Sequence, residues 1–166
     1  QSLYFRAASP ASVSYSTPTA AFDVKLDQVV VTNNNLSALT IAPNRTGQVY
    51  PGGNVVYSHE VCNVGTATLT NVSLASAMTT QTPTGWTNAM YRDNGGGGTA
   101  GALDPSDTAL GTSGTIATLN AGQCVTVLNN VFAPLGAPQG AYAVQTLTAT
   151  YTGGPAAGVS ATDTTQ

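Results

Sequence analysis

Charge is scarce in this chain. Of 166 residues only four are Lys or Arg and seven are Asp or Glu, 7% in all, with one histidine and a formal charge of -3. Four scattered cations cannot neutralise a run of phosphates, so nucleic acid is excluded as a partner. Titratable groups are equally thin. One histidine, one glutamate and ten further charged side chains leave little from which to gather an acid, a base and a nucleophile in one cleft. The chain is read as no enzyme and as needing no cofactor. Long apolar runs are missing too: nothing approaches the roughly 20 residues of a membrane span, and no basic segment followed by an apolar one opens the chain. Gln1 is therefore expected to begin a mature, secreted product.

What fills the polar positions is Thr, Ser, Asn and Gly, and the hydrophobic fraction of 42% comes mostly from Ala and Val. Globular domains usually carry about a quarter charged residues. A surface kept soluble by hydroxyls and amides points instead to an extracellular or cell-surface location. Three Asn-x-Ser/Thr triplets, at Asn35, Asn44 and Asn71, are candidate glycosylation acceptors in a host that glycosylates, and would be exposed.

The hydrophobic period is two rather than 3.6, and no window of a dozen residues or so shows a capped helical face. The predicted strands are 22–32, 54–63, 68–78, 86–93, 114–119, 123–132, 141–151 and 158–165. Turn signals separate them: "YPGG", "NVGTA", "TPTG", "DNGGGG", "LNAG", "PLGAPQG" and "TGGP". Seven to eight short strands after an N-terminal arm predict an all-β, Greek-key sandwich, with the arm at residues 1–21 and the sandwich at 22–166.

Three stretches carry a family resemblance: "YPGGNVVYSHEVCNVGTATLTNVSL", then "GW", then "LNAGQCVTVLNNVFAPLGAPQGAYAVQTLTATY". The chain resembles the immunoglobulin-like repeat domains of bacterial and archaeal envelope proteins. Those domains read as a Pro-Gly-Gly turn, a V-x-Y-x-x-x-V-x-N-x-G strand, a Gly-Trp, an A-P-G-Q-x-V strand and a G-A-P-x-G-x-Y hairpin. The same signature is similar to accessory β-sandwich modules of secreted glycosidases. The resemblance covers roughly residues 22–165 and speaks to fold more than to function. The chain departs from the pattern in its two cysteines, in a glycine run after "YRD" and in the N-terminal arm.

In such a sandwich the strand after "PGG" and the strand after "AGQ" are antiparallel neighbours. If Cys62 faces Cys124, paired positions sum to 186, which sets Val55 opposite Val131, Tyr57 opposite Asn129, His59 opposite Val127 and Val61 opposite Val125. A cross-strand disulfide then competes with free thiols, metal binding and catalysis. Metal binding wants further ligands at short spacing, and a catalytic thiol wants a base, whereas His59 has the opposite strand parity to Cys62. The expectation is a disulfide acting as a staple.

Asp93, Asn94, Asp104 and Asp107 surround the glycine run in "YRDNGGGGTAGALDPSDTAL". Related surface domains carry a calcium-like pattern here, but its central acidic positions are missing and four glycines oppose a rigid cage. The reading is a surface loop closed by Asx-turns, with Asp93, Asp104 and Asp107 as the residues a calcium site would use. His59 is expected to be a hydrogen-bonded inward residue. Trp86 is either buried where its strand begins or a platform for a sugar.

The arm, "QSLYFRAASPASVSYSTPTAAF", bears Leu3, Tyr4, Phe5, Val13 and Tyr15 on two short β-prone pieces. These apolar side chains need a cover. The chain's own sandwich or the next copy of the protein could supply it. Strand addition to a neighbour would give head-to-tail, open-ended assembly. The expected function is a structural subunit of an extracellular, pilus-like filament or of a surface layer, a homopolymer whose partner is itself. The alternative is a carbohydrate-binding or accessory module of a secreted enzyme or adhesin, with glycans as partners.

Overall fold

The computed structural model describes residues 37–95, 98–154 and 158–166, together with the backbone of 7–8 and 22–23. The chain divides into two compact units, Gln1–Asn34 and Asn35–Gln166. In the first, β1 (Ala7–Ala8) and β2 (Phe22–Asp23) pair antiparallel, with Ala7 opposite Asp23 and Ala8 opposite Phe22. The arm side chains Leu3, Tyr4, Phe5, Val13 and Tyr15, and the sequon at Asn35, lie outside the described residues.

Among the described residues the second unit holds ten strands. They are β3 (Leu39–Ala42), β4 (Arg45–Gly47), β5 (Asn54–Asn63), β6 (Leu69–Thr82), β7 (Thr87–Arg92), β8 (Thr108–Gly111), β9 (Ser113–Leu119), β10 (Cys124–Phe132), β11 (Tyr142–Thr150) and β12 (Val159–Thr165). Two five-stranded sheets result, in the orders β3-β5-β10-β7-β8 and β4-β12-β11-β6-β9. Every pairing is antiparallel except β12 with β4. No helix among the described residues is long and apolar enough to cross a membrane.

Alternation explains why these segments become half-buried strands. Along β11 the buried residues are Ala143, Gln145, Leu147 and Ala149, while Val144, Thr146, Thr148 and Thr150 lie half-exposed between them. A slip of one residue would exchange the two sets, so burial fixes the register. On β6 both Leu69 and Val72 are buried although three residues apart. Asn71 between them has φ 52, a left-handed conformation that Asn tolerates better than most residues, and it shifts the strand's parity by one. Ile116 and Leu119 of β9, paired to Val72 and Leu69, repeat that spacing.

Seven of the eight expected strands appear in the two sheets, with ends moved by a few residues. Ten strands form the sandwich where seven to eight were expected. The additional ones, β3, β4 and β8, have only three or four residues each, too few for alternation to show. Of the expected 22–32 strand, Phe22–Asp23 pairs with Ala7–Ala8 and in neither five-stranded sheet; the rest lies outside the described residues. Among the described residues, the first strand in either five-stranded sheet is β3.

The core has two apolar clusters. One gathers Leu39, Val61, Leu69, Val72, Leu74, Met90, Ile116, Leu119, Val125, Val127, Leu147 and Ala149. The other gathers Tyr57, Trp86, Val131, Ala133, Ala141 and Ala143. Each fully buried leucine stabilises the fold by roughly 1.5–3 kcal/mol relative to exposure.

Candidate functional site

Strand pairing brings the two cysteines together. Cys124 stands opposite Cys62, and the register continues without a break from Val125 opposite Val61 to Phe132 opposite Asn54. The sulfurs form a disulfide across adjacent strands, closing a loop of 62 residues in sequence. Its chemistry is that of a staple, since neither sulfur is left as a thiol.

Between the two apolar clusters runs a belt of polar side chains. On β10 the inward positions read Val125, Val127, Asn129, Val131, and on β11 Ala143, Gln145, Leu147, Ala149, so one polar residue interrupts each apolar row. His59 of β5 and Asp163 of β12 complete the same level, His59 fully buried and Asp163 1% exposed. His59 Nε2 lies 2.9 Å from Asp163 Oδ2, and its Nδ1 lies 2.9 Å from the Pro43 carbonyl. That carbonyl can only accept, so Nδ1 carries a proton. A second proton must then sit between Nε2 and Oδ2, as an imidazolium facing a carboxylate or as a carboxylic acid donating to imidazole. Both arrangements are net neutral, which is how a buried pair of this kind avoids an isolated charge.

The belt continues by amides. Asn129 Nδ2 donates to Asp163 Oδ2 at 3.2 Å, Gln145 Nε2 donates to Asn129 Oδ1 at 2.8 Å and to Ser76 Oγ at 2.6 Å, and Asn88 Nδ2 donates to Ser76 Oγ at 3.0 Å. Nearby, Tyr57 Oη is 2.8 Å from Thr165 Oγ1 and donates to the Thr164 carbonyl at 3.2 Å. Burial pushes the Tyr57 phenol above its ordinary value, partly offset by the Thr165 hydroxyl, with the nearby Asp163 raising it further. His59, Asn129, Asn88 and Tyr57 belong to one sheet and Asp163, Gln145, Ser76 and Thr165 to the other, so all of these bonds but Gln145–Ser76 clasp the two sheets face to face. Histidine, carboxylate and hydroxyl here meet each other, and their bonds join strands.

The glycine-run loop spends its carboxylates in the same inward-looking way. Asp93 accepts from the amides of Gly95 at 2.7 Å and Gly101 at 2.6 Å, and Asp107 from those of Asn94 at 3.2 Å and Asp104 at 2.9 Å. Asp104 accepts from the Ser106 amide at 2.7 Å and from its hydroxyl at 2.5 Å, which holds the Asp104 carboxyl below its ordinary value. Asn94 Nδ2 bonds the Ser106 carbonyl at 2.7 Å. Asp93 and Asp104 make Asx-turns with the amides two residues on, while Asp107 and Asn94 tie the two sides of the loop together.

Trp86 is 4% exposed, in the second apolar cluster at the start of β7, which is the buried alternative for this residue. Gln81 Oε1 accepts from its backbone amide at 3.0 Å and from that of Gly85 at 3.1 Å, while Trp86 Nε1 has no partner among the described residues. It borders a cleft of about 330 Å³ lined also by Val49, Pro51, Ala137, Pro138 and Ala141. Asn44 and Asn71 are both exposed, and Asn44 Oδ1 accepts from the Thr162 amide at 2.9 Å.

Reasoning on the sequence alone placed His59 inward but missed its partner Asp163 and the belt residue Gln145. The signal was present as polar residues at apolar parity in "AVQTLTA" and "GVSATDTT".

No protein-family model and no curated protein sequence matches this chain. Among solved structures it is similar to a family 123 glycoside hydrolase from Clostridium perfringens that hydrolyses glycolipid glycans, at TM-score 0.50 and 9% identity, covering 78% of this chain and 26% of that one. It spans only about a quarter of that enzyme's length. The N-terminal domain of PorA gives TM-score 0.44 at 13% identity over 78% of this chain and 98% of that one. A PapD-like domain of human CEP192 gives 0.40 at 14% identity over 86% and 94%. The likeness to the glycoside hydrolase, at 9% identity, is one of fold alone.

Proposed function

We propose that this chain is a non-catalytic structural subunit of an extracellular filament or surface layer, assembling head-to-tail when the N-terminal segment of one copy adds as a strand to the sandwich of the next. One observation carries the reading. Among the described residues, 37–166 supply the ten strands of the two five-stranded sheets, and the sequence before them carries Leu3, Tyr4, Phe5, Val13 and Tyr15, apolar side chains that need a cover. The strand order, with β10 between β5 and β7 and β11 between β12 and β6, supports an immunoglobulin-like Greek key. A charge-poor surface, a disulfide and candidate glycosylation sites accord with an oxidising, extracellular setting.

The test is negative-stain microscopy and sedimentation of the full chain and of a variant lacking residues 1–17. The full chain should form fibres; the shortened chain should melt cooperatively and remain monomeric. Fibres from the shortened chain would overturn the reading.

A carbohydrate-binding module is favoured by one feature, the cleft beside Trp86 together with Tyr50, which is 88% exposed. A monomeric full chain retained on polysaccharide would select that reading.

A further inference from the structure

Assembly by strand addition needs an open sheet edge, and the four edges of this sandwich are unequal. Three are short: β3 and β8 have four residues and β4 has three. Short edge strands are one of the ways proteins discourage pairing with another chain. The fourth edge, β9, has seven residues, "SGTIATL", and among the described residues pairs on one side only, with β6. It contains neither charge nor proline, the other common devices that blunt an edge. Ser113, Thr115, Ala117 and Thr118 are exposed, while Ile116 and Leu119 reach the core. At this margin Leu110 packs half-buried against the first apolar cluster. A strand laid beside β9 would extend an apolar face that already ends there.

We infer that the outer edge of β9, Ser113–Leu119, is the acceptor for residues 2–6 of a second copy; this rests on the assembly reading above. The donor "SLYFR" suits the edge because Leu3 and Phe5, two residues apart, share one face of an extended chain, while Ser2, Tyr4 and Arg6 share the other. Backbone pairing supplies the join, and the apolar pair faces the core side of the sheet.

Two full-length variants test it. In the donor variant, Leu3→Asp is combined with Phe5→Asp. In the acceptor variant, proline replaces Ala117 or, separately, Thr118; on an edge strand alternate amides point outward, so the proline that preserves the cooperative melt is the one that removes an outward donor. Each variant alone should stay monomeric, and an equimolar mixture should give a 1:1 dimer by sedimentation, because one intact arm then meets one intact edge. Fibres from the donor variant would overturn the choice of residues 2–6 as donor, and fibres from the chain lacking residues 1–17 would overturn the assembly reading itself. Fibres from a folded acceptor variant, or a mixture that remains monomeric while the wild-type chain polymerises, would overturn the choice of β9 alone. Thr40→Pro in β3 serves as the control edge and should leave fibres unchanged.

Discussion

Removing one member of the His59–Asp163 pair tests whether the polar belt holds the sheets together. Asp163→Ala strands the His59 Nε2 and Asn129 Nδ2 groups, both of which now meet Asp163 Oδ2. Both side chains of the pair are wholly buried, so solvent does not readily repair the loss. Breaking a buried pair of this kind costs roughly 3–5 kcal/mol, and His59→Ala should fall in the same range because it leaves Asp163 and the Pro43 carbonyl without their partner. At roughly 2–4 °C per kcal/mol for a domain of about this size, either change should lower the Tm by about 10–15 °C. Since each single change already forfeits the shared bond, the double variant should cost less than the sum, with a coupling on the order of 2 kcal/mol. Urea denaturation of the four proteins in the cycle measures this directly. Additivity within about 0.5 kcal/mol would refute the reasoning, because the pair would then not act as a unit.

Replacing Cys62 and Cys124 together by Ser should cost about 2–4 kcal/mol while leaving the fold intact, checked by denaturant midpoint and circular dichroism. The phenol of Tyr57 is raised by burial, so its contribution to stability is present below the ordinary tyrosine value of about 10 and is lost as pH climbs through the folded value. Melting followed from pH 8 to about 11.5 should show that loss, and Tyr57→Phe should flatten it. Asp104 is shifted the other way: its contribution is present above the ordinary carboxylate value of about 3.9 and fades as pH falls, so Asp104→Asn should shallow the acid limb of the melting profile. Chelator should change the Tm by less than about 5 °C, since the loop carboxylates close turns by accepting backbone amides; a larger drop would mark them as cation ligands.

Some parts of the structure were legible in the sequence because they follow from strand parity. The sum rule through Cys62 and Cys124 reproduces every pair from Cys124 to Phe132, since a cross-strand bond fixes one pair and the period of two fixes the rest. The motif residues Tyr57 and Asn63 are buried for identifiable reasons: Tyr57 reaches Thr165, and Asn63 bonds the carbonyls of Ala67 at 2.7 Å and Leu119 at 2.9 Å, shaping the turn after β5. What was not legible depends on which strands face one another across the core. Asp163 reads as one polar residue in "SATDTT"; only the stacking of β12 over β5 gives it a histidine. The short edge strands escaped for the opposite reason, because "LTIA", "RTG" and "TALG" owe their conformation to the neighbours that pair with them.

The belt and the disulfide constrain different degrees of freedom. The disulfide joins β5 to β10 within one sheet, at the end of the pair marked by Cys124, and says nothing about how that sheet lies over the other. Apolar contact between the sheets is non-directional and would tolerate a small slide, because one Val, Leu or Ala can replace another against the facing row. Hydrogen bonds from His59 to Asp163, Gln145 to Asn129 and Asn88 to Ser76 do not tolerate it. A shift of one residue pair along a strand, about 6–7 Å, would bury every one of these groups unpaired, at roughly 1–3 kcal/mol for each. The polar level thus selects one alignment of two sheets whose Ala- and Val-rich faces would otherwise fit in several. If an incoming strand pairs with β9 as proposed, a sandwich held in one alignment by the belt would fix the orientation of the neighbouring copy as well.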